Sequence, residues 1–596
     1  MFNSKPCILA LALLVSSTVS LFSCKSLQKG QEISHGEPVE SFAERVINLD
    51  QNWTTDTQQA FYFTSQGSRI MPYEWFLVLE QANSNKLFRS NKNIESLRYL
   101  PAQANSWNPD GLPVGFAKDK DHNDKNWIGL TCAACHTTQI DYQGTQIRID
   151  GGPTLGDFET FNQILVEALS ATYQDPNKFT RFAKNILGTD ADNPSKRNQL
   201  RSDLLSQTEA LAYRNQINHS GGPDQPHYGF GRLDAIGAIF NKIMVQINEM
   251  PVNIRPADAP ASYPFLWGTH QSNIVQWTGF APNGPATVGA LTRNGGEVLG
   301  VYGTINIPED KHAESYRSSL AIKNLGRLEA WVAQLKSPAW PDEYLPPINQ
   351  EKAARGEIHY DTFCSDCHQV VPRNQEGRRY SAVLTAISEL KTDPTEWNNM
   401  QRVLKAGKFE GRKTSVIAGT NIPAETTGLA PLVNAVIGSL LEHPTKSVEA
   451  IITQIEGGYA ARQLDKKATT PDLVKRLNDF NDVFNSAQKP TFDGGVYKAR
   501  PLNGIWATAP YLHNGSVPNL YELLLPQKQR SKTFFLGSRE FDAKKVGFVS
   551  TNRVTGTQAF KFDTTLKGNS NQGHTYGTNE LTPKEKYELL EYLKTL

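Results

Sequence analysis

The stretch Cys132-Ala133-Ala134-Cys135-His136 decides how the rest of this chain is read, and it recurs once as Cys364-Ser365-Asp366-Cys367-His368. The spacing C-x-x-C-H is that of covalent c-type haem attachment. Two thiols add across the two vinyl groups of one porphyrin, and the next residue turns its imidazole onto the iron. Cys132, Cys135, Cys364 and Cys367 are therefore the candidate tethers, with His136 and His368 as proximal iron ligands. The competing readings are a zinc knuckle, a redox dithiol and a structural disulfide. A zinc site needs four ligands close by, and no third or fourth Cys flanks either motif. A redox dithiol has no need of the following His.

The other two of the six cysteines lie at the N-terminus. Cys7 precedes an apolar run, 8–15, which continues through a Ser-rich stretch to Leu21-Phe22-Ser23-Cys24. With Lys5 ahead of it, this reads as a secretory signal peptide. It is too short and too Ser-rich for a good spanning helix. Its end resembles a bacterial lipobox, in which Cys24 becomes the lipidated first residue of the mature chain; ordinary cleavage nearby is the alternative. Export agrees with the motifs, because bacterial c-type haem is attached outside the cytoplasmic membrane. The expected location is the periplasm or cell envelope, with a lipid anchor as the sole membrane contact. The charges balance, 61 Lys and Arg against 60 Asp and Glu, and no basic block points to nucleic acid.

After the signal (1–24), a polar stretch (25–50) reads as a tether. An N-terminal unit is expected over 51–345 and a C-terminal unit over 346–596, divided where Pro338, Pro341, Pro346 and Pro347 break the chain. Helices are expected in MPYEWFLVLEQA behind Pro72, at 158–173, at 202–214, in GRLDAIGAIFNKIM and in LGRLEAWVAQLKSP. QIDYQGTQIRID alternates as a hairpin with Gly at its turn. The second motif follows a helix in which Gly356, Tyr360 and Phe363 share a face. The chain closes on LTPKEKYELLEYLKTL, where Thr582, Pro583 and Glu585 make a helix start and Leu589, Leu593 and Leu596 one apolar face. The fold class is mainly α: two cytochrome c-like haem domains with long loop-rich insertions and a few short strands.

Two such domains in one exported chain resemble the bacterial di-haem cytochrome c peroxidase superfamily. YKARPLNGIWATAPYLHNGSVPNLYELLLP, residues 497–526, is similar to the Ala-Pro-Tyr segment of its C-terminal domains. GLTCAACHTTQIDYQGTQIRIDGG, GRLDAIGAIFNKI, FLWGTHQSNIVQW, LGSREFDAKKVGF and GHTYGTNELTPKEK are closer to one branch, that of the di-haem rubber oxygenases. The resemblance runs from about residue 60 to the C-terminus. It implies two covalent haems and leaves room for a bound calcium, which no local calcium motif supports.

His574 is the first choice for the distal face of the second haem. It follows a Gly- and Asn-rich loop and precedes the closing helix, and the rubber-oxygenase-like branch has a His near this place. An exposed loop His is the bland alternative. His513 is the rival, although its Asn-Gly-Ser surroundings read equally well as a turn. Met250 and Met400 lie in no recognisable ligand loop. His122 and His359 lie near the motifs in sequence, as haem-edge partners or solvated residues. The first haem has no evident distal ligand, and an open position is what peroxide or dioxygen requires. The reactive centre is thus expected at His136 and the relay at His368, with Trp267 and Trp277 as an aromatic bridge or as core aromatics. The peroxidase branch uses a distal carboxylate, and none can be placed from the sequence; Glu159 has no motif support.

The expected function is a di-haem oxidoreductase acting on peroxide or dioxygen. A peroxidase would draw on a small redox donor protein, and an oxygenase would cleave an apolar unsaturated substrate. The alternatives are a non-enzymatic electron-transfer lipoprotein with both haems six-coordinate, and an oxidase that modifies another protein.

Overall fold

The first motif is held between two small sheets. Phe116–Lys120 and Asn126–Leu130 form an antiparallel hairpin that Met71–Pro72 extends. Thr137–Tyr142 and Thr145–Asp150 form the second hairpin, with Gln143-Gly144 at its turn, and Val46–Asn48 adds in parallel. Between them Cys132–Cys135 makes one helical turn, capped by the Thr131 hydroxyl, which accepts from the Ala133 amide. Gly115, at φ +82°, allows this: a β-carbon there would stand 2.1 Å from the Ala134 nitrogen. The chain was analysed as a computed structural model that describes residues 46–283, 288–375, 378–457, 494–551 and 559–596. The signal peptide, Cys7, Cys24 and nearly all of the tether lie outside these residues.

The second motif has a different setting. It follows the helix Gln350–Phe363, whose face packs against the closing helix Pro583–Thr595. The expected capping box is present: the Thr582 hydroxyl accepts from the Glu585 amide and the Glu585 carboxylate from the Thr582 amide. Such a cap contributes about 1 kcal/mol. Leu589, Leu590 and Leu593 are each buried and contribute about 1.5–3 kcal/mol apiece. Packing, not capping, therefore holds this helix.

The architecture is mixed rather than mainly α. Long helices accompany eight small sheets among the described residues, none wider than three strands. Strands appear where the chain must bracket the first motif, and the alternation in QIDYQGTQIRID carried that signal. Several helices differ from expectation. The run behind Pro72 yields only Tyr73–Val78. The one expected at 202–214 extends over Pro194–Asn218, started by the Asn193 side chain and Pro194. GRLDAIGAIFNKIM splits into a strand at Arg232–Leu233, a helix at Ala235–Asn241 and a π-helical turn at Lys242–Ile247.

Of four hydrophobic cores, three draw from both sides of residue 345, the smallest joining Phe230 to Phe534, Leu536 and Phe562. One joins Ile239, Leu299 and Leu325 to Val436 and Leu440. Another joins Ile140, Trp267 and Leu335 to Trp506, Leu589 and Leu593. The fourth lies wholly before that point, around Phe76, Phe116 and Phe161. The described residues form one compact unit.

The tightest helix contact predicts a measurable loss. A β-carbon on Gly356 would lie 2.0 Å from the Glu588 backbone oxygen. Ala gains about 1 kcal/mol of helix propensity over Gly, but an overpacked backbone contact costs about 1–3 kcal/mol. Gly356→Ala is expected to destabilise by up to about 2 kcal/mol net, read as a lower midpoint in denaturant unfolding.

Candidate functional site

Each motif faces its own cavity. Cys132, Cys135 and His136 line one of about 1330 Å³. Cys364, Cys367 and His368 line a larger one of about 2090 Å³. The four thiols are free. Burial raises the pKa of the Cys132 thiol well above the ordinary thiol value, and pushes Cys135 and Cys364 up to about 12. They stand as neutral thiols.

In the larger cavity His368 Nδ1 donates to the Arg500 carbonyl at 2.6 Å, which leaves the Nε2 lone pair free. The His574 ring lies across from it, with centroids 6.0 Å apart. Two metal–imidazole bonds of about 2 Å, with about 1 Å from nitrogen to ring centre, place such rings about 6 Å apart. Burial, then His368 and Arg530, pushes His574 down to about 3, and burial lowers His368 as well. Both rings are neutral, as metal ligands must be. His574 takes a left-handed backbone, φ +53°, rare for a non-glycine residue. Its loop is pinned by buried Arg530, whose guanidinium donates to the carbonyls of Asn571 and Gly573 at 2.6 and 2.9 Å. Nothing in the sequence marked Arg530, because its role is to satisfy carbonyls far along the chain.

His513 lines the same cavity but stacks on Tyr497, with centroids 4.2 Å apart, and is pushed down to about 4 by burial. Met400 is buried with its sulfur near the Thr278 hydroxyl, and neither it nor Met250 lines either cavity. His122 is exposed, and His359 pairs with Glu588. Glu159 lies outside both cavities, held by His219 and His227.

The smaller cavity has another character. His136 is pushed down to about 4 by burial, and its Nδ1 is buried beside the Pro264 backbone without completing a hydrogen bond. Among the described residues no second His lines this cavity. Polar groups on two helices do. Val288–Gly300 supplies Arg293, Asn294 and Glu297, and Ile322–Gln334 supplies Glu329. Arg293 and Asn294 both donate to Glu329, and Gln276 Nε2 donates to Glu297 Oε1 at 3.0 Å. Burial raises the pKa of the Glu297 carboxyl; Arg293 opposes the shift and Glu329 adds to it. These carboxylates were not legible beforehand: RNGGEV carries no motif, and Glu329 follows 32 positions after Glu297.

Six residues line both cavities: Tyr263, Pro264, Phe265, Trp277, Lys498 and Arg500. Trp277 thus stands in the shared wall, its indole nitrogen donating to the Ser262 carbonyl at 2.9 Å. Trp267 lines neither cavity and stacks on Phe265, with centroids 4.7 Å apart. No group of three or more His, Cys, Asp or Glu side chains suited to a metal ion occurs among the described residues.

The family described as "RoxA-like, cytochrome c-like" matches residues 495–535, which contain the Ala-Pro-Tyr segment, Lys498 and Arg500. "Uncharacterized protein y4iJ" of Sinorhizobium fredii (strain NBRC 101917 / NGR234) is 30% identical over 607 aligned positions, covering 93% of this chain and 94% of that protein. This chain belongs to the family of y4iJ. "Uncharacterized protein y4iM" of the same strain is 40% identical over 99 residues, covering 16% of this chain and 22% of that protein. The match at 495–535 supports the rubber-oxygenase-like cytochrome c branch. A cytochrome c-like segment implies covalently bound c-type haem with iron.

A buried acid behind the larger cavity carries a prediction. Glu396 acts electrostatically on Tyr497, has an unpaired Oε2, and is pushed up to about 8 by burial and then Asp234. Below about pH 4.5 the folded and unfolded chains both hold this proton. Between about 4.5 and 8 only the folded chain holds it, so its contribution to stability is lost as pH rises through that window. Glu396→Gln is expected to gain stability relative to wild type from pH 5 to pH 8, on the order of a few kcal/mol, measured by denaturant unfolding at both pH values.

Proposed function

We propose that this protein is an exported di-haem oxidoreductase in which the cavity at His136 handles peroxide or dioxygen and the cavity at His368 serves electron relay. The observation that carries this reading is the difference between the two histidines. His368 faces a second imidazole 6.0 Å away, whereas His136 shares its cavity with Glu297, Gln276, Arg293 and Glu329. When bound, c-type haem would supply one-electron redox chemistry at the His368 cavity and activation of an oxygen species at the His136 cavity.

The chain's own residues fit these roles. Cys132 and Cys135 would hold one group and Cys364 and Cys367 the other, with His136, His368 and His574 as ligands. Burial of the Glu297 carboxyl favours its protonated form at the cavity, and Gln276 orients it by donating to Oε1. Arg293 and Asn294 fix the charge of Glu329 close by. Ile236, Ile239, Leu328 and Val332 restrict water on the apolar side. Trp277 and Phe265 occupy the wall through which an electron would pass. A Glu that can give and retake a proton suits O–O cleavage of peroxide, with a small redox protein as donor.

A second reading within this class is an oxygenase with an apolar unsaturated substrate. It is favoured by an annex of about 530 Å³ that shares Ile236, Ile239, Gln276, Arg293 and Glu297 with the reactive cavity and extends between residues such as Phe280, Leu429, Leu432 and Val433. The electron-transfer lipoprotein with two six-coordinate haems is the reading from outside the enzyme class. Export, lipidation at Cys24 and a calcium ion remain parts of the proposal that rest on sequence and resemblance alone.

Purified protein is expected to show one low-spin haem and one that binds cyanide or carbon monoxide, by absorption and EPR spectroscopy. Two low-spin haems indifferent to both ligands would sink the enzyme reading. His574→Ala is expected to keep its covalent haem count and turn the low-spin species high-spin. Glu297→Gln is expected to slow the bimolecular reaction with peroxide by about 10²–10⁴-fold in stopped-flow mixing. An unchanged rate would remove Glu297 from the mechanism.

A further inference from the structure

The wall between the two cavities contains two cations that pair with no acid among the described residues. Lys498 ends the strand Val496–Lys498, and Arg500 follows two positions later, the spacing that puts two side chains of an extended segment on one face. Lys498 is 9% exposed, and its Nζ makes no hydrogen bond or ion pair among the described residues. Arg500 lies over the Phe265 ring, 3.4 Å from the centroid, and donates Nη2 to the Phe265 carbonyl at 2.8 Å. Among the described residues it makes no hydrogen bond or ion pair to a carboxylate. The acids of the smaller cavity are engaged elsewhere, Glu297 with Gln276 and Glu329 with Arg293 and Asn294.

Two adjacent buried cations without counter-ions cost several kcal/mol. Burial, then Arg500 and Arg293, lowers the Lys498 ammonium well below its ordinary value. Burial pushes Arg500 down to about 10. A protein that retains such a pair in a wall facing two cavities is built for anionic ligands on both sides. A c-type haem tethered by its vinyl edge keeps two free propionate carboxylates.

We propose that Lys498 and Arg500 form one shared cationic wall that receives propionate carboxylates from the haems of both cavities and thereby raises both reduction potentials together. The proposal rests on the di-haem reading. The sign follows from charge: oxidation adds one positive charge at each iron, and a cation held nearby disfavours it. At an effective dielectric of about 20, one unit charge about 10 Å away shifts a one-electron equilibrium about tenfold, which is 59 mV.

The test is a spectroelectrochemical titration of the full-length holoprotein as wild type, Lys498→Met and Lys498→Arg, with haem counted by mass and by the pyridine haemochrome spectrum. Two haems are expected in each. Both potentials should fall in Lys498→Met by about tenfold in the equilibrium, with axial-ligand spectra unchanged, and Lys498→Arg should restore them. Two haems with unchanged potentials would overturn the proposal, as would a shift confined to one haem. If Lys498→Met fails to take up both haems, Arg500→Met decides by the same readout, since the residue 500 carbonyl still serves His368. A wild type with a single haem would instead refute the di-haem reading itself.

Discussion

The hydrogen bond from His368 Nδ1 to the Arg500 carbonyl is the constraint on which the rest of the larger site depends. It joins a motif on one helix to a segment 132 residues later. It also fixes which imidazole nitrogen faces the cavity, and a neutral, oriented imidazole is what a metal ligand must be. The same segment then places Lys498 and Arg500 in the wall toward the other cavity, Tyr497 against His513, and the Ala-Pro-Tyr turn beyond. The match at 495–535 falls on this connection.

The two motifs are alike in sequence and unlike in setting. The first is a single helical turn clamped by two hairpins, and the second is a turn just past a helix that packs on the C-terminal helix. Strand clamps bring Leu130 and the motif itself to the smaller cavity, while its polar face arrives from helices more than 150 positions later. The larger cavity receives His574 from a loop held by Arg530. The difference between the two cavities therefore arises from what is packed opposite each motif.

The cores explain why the chain is organised around both cavities at once. Helix Val288–Gly300, which carries Arg293 and Glu297, packs on Leu429–Glu442 from the other half. Trp267 sits in a core with Trp506 and Leu593. Elements from each half thus buttress the cavity of the other. A charge or volume change in the shared wall acts on both sites because the same six residues line them.

Much was legible by itself where the physics is local. The C-x-x-C-H spacing, the capping box at Thr582–Glu585, the hairpin at 137–150 and the packing face around Gly356 and Tyr360 depend on neighbours within a few residues, so period and spacing reveal them. His574 was placed by its loop and by resemblance, and the fold sets it 6.0 Å from His368. Glu297, Glu329, Arg530, Lys498 and Arg500 could not be read out, and Trp267 and Trp277 could not be told apart. Their roles depend on which buried groups lack a partner and which walls two cavities share. Those properties arise when segments hundreds of residues apart exclude water together, and only the tertiary structure decides them.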